Sequence, residues 1–127
     1  MTRRVKRDCY RDAFNALSGQ AFEGWRLVHG YPTGTGGEAE GLKYGHAWLL
    51  SPDEVWVFET QGSLLVTTEA YYRIGQIDPE ECSVFTLTEA RMKALETGVY
   101  GVWGTVPAGV VFMEKGKIRT TEVEEVI

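Results

Sequence analysis

Two apolar runs around a polar turn, "HAWLL" and "VWVFE" on either side of "SPDE", constrain this chain more than any other stretch. The two short apolar runs, rich in aromatic and aliphatic residues, read as strands, and Ser, Pro and Asp between them supply turn chemistry. The pattern predicts a β-hairpin over residues 46–59. A tight turn centred on Pro52 and Asp53 sets Ser51 against Glu54 and Leu50 against Val55. The same register carries His46 directly opposite Glu59, with β-carbons about 4.5–5.5 Å apart on one face.

A carboxylate at that distance fixes the tautomer of an imidazole, favours its charged form and frees the other ring nitrogen. The plain alternative is a structural cross-strand pair. Trp48, Leu50, Val55 and Val57 make the shared face apolar, however, and ionisable groups at the edge of such a face are costly unless they serve a site.

The remaining composition narrows the setting. A chain of 127 residues with 43% hydrophobic and 12% aromatic content reads as a single domain, 1–127, with a core of its own. A net charge of −5 and an isoelectric point near 5.0 argue against nucleic acid as a partner. Arg3, Arg4, Lys6, Arg7 and Arg11 form a basic run that reads as a solvated leader. No apolar run approaches the roughly 18 residues of a membrane span, and no apolar signal core follows the basic start, so a cytoplasmic protein without membrane contact is expected. In that compartment Cys9 and Cys82 are expected to be free thiols.

Local signals order the rest. Asp8 is a candidate N-cap for a helix through "CYRDAFNAL", with Tyr10, Ala13, Phe14 and Leu17 at helical spacing and Gly19 as a stop. "WRLVHGY" reads as a strand leading into the glycine-rich loop "GYPTGTGGEAEGLKYG". "SLLV" extends the sheet, "TTEAYYRIG" is a short helix and "CSVFTL" another strand. A second main helix is expected near 88–97, with a capping box from Thr86 and Glu89 and Gly98 at its end. The C-terminal run predicts a hairpin turning near Lys115–Lys117. These elements imply an α+β fold, an antiparallel sheet packed against the N-terminal helix and the helix near 88–97.

A helix N-terminus and a neighbouring imidazolium are the two features that favour a thiolate. Cys9 has the first, and it gains the second if its helix crosses the sheet to reach His46, with Glu59 orienting the histidine. Cys82 has neither and reads as a small core filler. Candidate substrate-binding residues surround this group: His29, Gly30 and Tyr31 where the strand enters the glycine loop, Trp48 on the face of His46, and Gln61 with the parity of Glu59. A zinc site from Cys9, His29, His46 and Cys82 lacks any short ligand spacing, so no metal is expected. "GTGGEA" spells a dinucleotide pattern, but Gly41 and Gly45 deny it the helix that phosphate binding needs; no cofactor is expected, and the glycines read as a loop beside His46. Among the aromatics, Tyr71, Tyr72, Tyr100 and Trp103 read mostly as core or as the platform of a groove.

The runs "DCYRDAFNAL", "LVHGY", "GHAWLL" and "VWVFE" together resemble the transglutaminase-like superfamily of papain-type cysteine enzymes, over about residues 8–60. The resemblance implies a papain-like core with Cys9 as nucleophile, His46 as general base and acid, and Glu59 at the third position, where the family usually has aspartate. It also implies acyl transfer on a peptide, a protein side-chain amide or a small acyl substrate, by hydrolysis, deamidation or transamidation. The alternative is a non-catalytic binding or inhibitor module that uses the aromatic surface and the glycine loop. Oligomeric state is not encoded in any of these signals.

Overall fold

The computed structural model describes residues 8–114 and 117–120, so the basic run before Asp8 and the turn at 115–116 lie outside the described residues. Its order is α1 (Cys9–Leu17), β1 (Arg26–Gly30), β2 (His46–Leu50), β3 (Trp56–Glu59), β4 (Leu64–Thr67), α2 (Thr68–Gly75), β5 (Ser83–Phe85), α3 (Leu87–Thr97), β6 (Val111–Glu114) and β7 (Lys117–Thr120). The first five strands form one antiparallel sheet in the order β4-β3-β2-β1-β5. β6 and β7 pair as a separate antiparallel hairpin, attached to the main body where Tyr44 bridges Val111. The fold is α+β with an antiparallel sheet.

β2 lies at the centre, and all five residues of "HAWLL" are buried because both sheet faces are covered. On one face Leu27, Ala47 and Leu49 pack with Tyr10, Ala13 and Leu17 of α1, Ala90 of α3 and Trp103. On the other, Val28, Trp48, Leu50 and Val57 pack with Ile77 and with Tyr71 and Tyr72 of α2. Burial of these side chains, at roughly 25 cal/mol per Å² of apolar surface, holds three layers together.

The caps follow local chemistry. The Asp8 carboxylate accepts from the N–H groups of Tyr10 and Arg11. Thr86 and Glu89 form the reciprocal capping box, and Gly98 ends α3 in the left-handed conformation. The glycine-rich segment is a hydrogen-bonded excursion, closed by Gly34 N–H to Leu42 O at 2.9 Å and Tyr44 N–H to Pro32 O at 2.9 Å, and its only helical piece is the three-residue 3₁₀ turn Gly37–Ala39.

The hairpin register differs from the sequence expectation. Leu49 faces Phe58 and Leu50 faces Val57, so the β2–β3 register is displaced by two residues. Ser51 pairs with Trp56 instead of Glu54, leaving a four-residue loop, 52–55. The Asp53 carboxylate accepts from Ser51 Oγ at 2.6 Å and from Val55 N–H at 3.0 Å, Trp56 N–H donates to Ser51 Oγ at 3.0 Å, and Glu54 takes a positive φ of 65°. Pro52 explains the choice: its φ is locked near −65°, whereas the first central residue of the favoured two-residue hairpin turns needs φ above zero.

Candidate active site

Carried one pair further, this register sets Trp48 across from Glu59, so His46 and Glu59 share a face as diagonal rather than direct neighbours. Glutamate's longer side chain spans the diagonal: His46 Nε2 lies 2.8 Å from Glu59 Oε1. The Glu59 carboxylate collects two further donors. The Tyr71 hydroxyl donates to Oε1, and the Gln61 backbone N–H donates to Oε2 at 3.0 Å.

Cys9 opens α1 and His46 opens β2, so both sit at the ends of their elements. α1 lies on the Leu27–Leu49 face while His46 shares the face of Trp48, and the two side chains approach over the rim of the sheet, close enough for Cys9 to favour the charged imidazole. With Nε2 engaged by Glu59, Nδ1 is the ring nitrogen left for another partner. One tie fixes the helix against the hairpin: Gln61 Nε2 donates to Asp12 Oδ2 of α1 at 2.9 Å, one turn beyond Cys9.

The electrostatics favour a charged histidine. Burial alone disfavours the imidazolium, but hydrogen bonds and charges from Cys9 and Glu59 outweigh it and raise His46 to about 10. Burial likewise pushes the Glu59 carboxyl up, and it is nonetheless held below its ordinary value by His46, the Tyr71 hydroxyl and the Gln61 N–H. Burial and the Glu59 charge push the Tyr71 phenol strongly up, so it stays a neutral donor. The Tyr44 ring packs on His46, centroids 5.6 Å apart, and covers the imidazole from the loop side. Cys82, by contrast, is pushed up to about 11, chiefly by burial.

The structure brings Cys9, His46 and Glu59 together and redistributes the residues expected to bind substrate. His29 points to the α1 face, 2% exposed, ringed by Tyr10, Phe85 and Trp103; neither of its nitrogens has a hydrogen-bond partner, and burial lowers it to about 4. It is a sealed neutral ring rather than a cleft residue. Trp48 is completely buried beneath His46, Tyr31 is buried, and Gly30 provides the close approach that Trp48 and Cys82 need. Gln61 is occupied with Asp12 and serves as a brace. Two contributors, Tyr71 and Tyr44, lie outside the expected set of site residues. α2 carries Tyr71 onto Glu59, and nothing in the local pattern of "AYYRIG" distinguishes that role from core packing. Among the described residues no group of three or more His, Cys, Asp or Glu side chains is placed to hold a metal ion, and no helix is long and apolar enough to cross a membrane.

No protein-family model, curated protein or solved structure matches the chain. The geometry of the site therefore stands by itself.

Proposed function

We propose that the protein is a cysteine-dependent acyl-transfer enzyme acting on an amide, peptide or related acyl bond, on a papain-like variant of the α+β fold. The observation that carries the reading is the approach of Cys9, at the start of α1, to the hydrogen-bonded His46–Glu59 pair, on residues from three separate elements. An isolated ion pair has no need of a thiol at its other end, and a buried imidazolium beside a thiol at a helix start is the arrangement that produces a nucleophilic thiolate.

The chemistry follows from the positions. The Cys9 thiolate attacks the carbonyl carbon, forming an S–C bond and moving the π electrons onto oxygen. The Cys9 backbone N–H, at the start of α1 and not among the groups capped by Asp8, is suited to receive that oxyanion. The intermediate collapses with cleavage of the C–N bond as His46 gives its proton to the departing amine. Water or a second amine then attacks the thioester, His46 takes the proton from it, and sulfur leaves as thiolate. Glu59, with its three donors, holds the ring and its charge throughout.

The test is selective alkylation. Iodoacetamide near neutral pH is expected to modify Cys9 at least about tenfold faster than Cys82, and His46→Ala to remove the preference. Equal, slow labelling of both thiols would overturn the triad and leave the fold as a binding module.

A further inference from the structure

A cavity of about 270 Å³ opens between the glycine-rich excursion, β4 and α2. Two of its walls belong to the site already described: Tyr44, whose ring packs on His46, and Tyr71, whose hydroxyl holds Glu59. Leu64, Val66, Ala70, Ile74 and Ile77 supply most of the remainder, Thr33 and Thr35 add two hydroxyl-bearing residues on the loop side, and no charged side chain lines it. The cavity is pre-formed, because Thr33 N–H donates to Gly75 O at 2.7 Å and ties the loop to the end of α2. Ile74, 63% exposed, stands at its mouth.

Ligand pockets for larger molecules span roughly 300–1,000 Å³, so this one suits a single side-chain-sized group. A neutral, mainly apolar lining without a counter-charge disfavours an ionised one. We infer that the pocket is the specificity subsite of the enzyme, taking one uncharged apolar group, a short acyl chain or an aliphatic peptide side chain, that the substrate carries next to the bond attacked by Cys9. The inference rests on the acyl-transfer reading and adds to it the class of substrate.

Three alkylating reagents distinguish the possibilities on the full chain: iodoacetamide, 2-iodo-N-hexylacetamide and iodoacetyl-leucinamide. In each the Cys9 sulfur forms a bond to the methylene carbon and iodide leaves, so the reagents differ only in the group offered to the pocket. Since each buried methylene is worth roughly a factor of four, one of the two apolar reagents is expected to modify Cys9 about tenfold faster than iodoacetamide. A lead for the hexyl reagent assigns the pocket to an acyl chain, and a lead for the leucine reagent to a peptide side chain. Ala70→Phe, which fills the cavity, and Ile74→Lys, a change at an exposed position that the fold tolerates, are each expected to return the ratio of apolar to plain reagent to about one. No gain with either apolar reagent while Cys9 still outpaces Cys82, or a gain that survives both variants, overturns the subsite and leaves the triad standing. Failure of iodoacetamide to prefer Cys9 overturns the enzyme reading, and the subsite with it.

Discussion

Glu59 reaches His46 along the diagonal of the hairpin, Oε1 to Nε2 at 2.8 Å, and on the way accepts the Tyr71 hydroxyl and the Gln61 backbone N–H. A shorter carboxylate directly across the strand pair would meet the ring without those helpers. The diagonal approach lets one carboxylate connect β3, α2 and the histidine of β2.

Glu59→Gln keeps the shape of that connection and removes its charge. The His46 imidazole, raised to about 10 in the native protein, is expected to titrate lower, because Cys9 alone is left to oppose the burial that disfavours its charged form. Nitrogen-detected NMR of the ring reports the change directly, and Cys9 alkylation at neutral pH is expected to slow by about tenfold or more. An unchanged His46 titration would show that Glu59 is not its electrostatic partner.

Tyr71→Phe removes only the hydroxyl. Loss of one hydrogen bond to a buried carboxylate is expected to cost about 1–3 kcal/mol in denaturant unfolding. The sign of the pH effect follows from the depressed Glu59 carboxyl. Its stabilisation is present above its ordinary value of 4.5 and is lost as pH falls through the lower folded-state value. In the variant the folded-state value lies closer to 4.5, so that loss is smaller and is complete at a higher pH, which parallel unfolding curves of the two proteins between about pH 3 and 5 will show. Identical acid limbs would argue that the hydroxyl contributes nothing to Glu59.

His29 makes the opposite kind of contribution. Its folded-state value of about 4 lies below its ordinary 6.5, so folding is unaffected above 6.5 and opposed below it, where the unfolded chain binds a proton that the folded one refuses. At roughly 1.4 kcal/mol per pH unit, the loss reaches about 3 kcal/mol by pH 4. His29→Phe, which also removes two unpartnered ring nitrogens, is expected to flatten the acid side of the stability profile by about that amount. Unfolding curves for both proteins that shift in parallel with pH would refute the assignment.

Gly30→Ala tests the packing beneath the site. A β-carbon there would overlap the Trp48 ring edge and lie 2.8 Å from Cys82 Sγ, both in crowded surroundings, so a loss of about 1–3 kcal/mol is expected. Gly36→Ala, with extended backbone and nothing within 4 Å of the added carbon, serves as the control and is expected to stay within about 0.5 kcal/mol of the parent. Equal effects at the two positions would mean that the close approach at Gly30 is not needed.

Much of this architecture was legible from short-range signals. Asp8, the Thr86–Glu89 box and Gly98 mark helix ends because capping is decided within four residues, and "HAWLL" and "VWVFE" declare strands by composition alone. Cys9, His46 and Glu59 could be singled out because a helix start, a strand pair and a carboxylate are local facts. The hairpin register was legible in principle too, through the conflict between Pro52 and a two-residue turn, and the pairing of side chains from Ser51 and Asp53 decides it.

Other features had no local trace. Tyr71 reaches Glu59 only because α2 covers the Trp48 face, and Tyr44 covers His46 only because the glycine-rich excursion folds back onto Pro32. His29 lost its expected place at the cleft because strand parity turns it beneath α1, and which face α1 covers is settled by long-range burial. By itself the sequence determined the elements, their ends and the three residues of the proposed triad. The tertiary structure decided that Cys9 crosses the rim of the sheet to meet His46, that Gln61 braces rather than binds, and that an apolar pocket shares two tyrosines with the site. The physical reason is range: caps, turns and strand periods are set among neighbours in the chain, whereas those contacts form only when separate layers bury their apolar faces together.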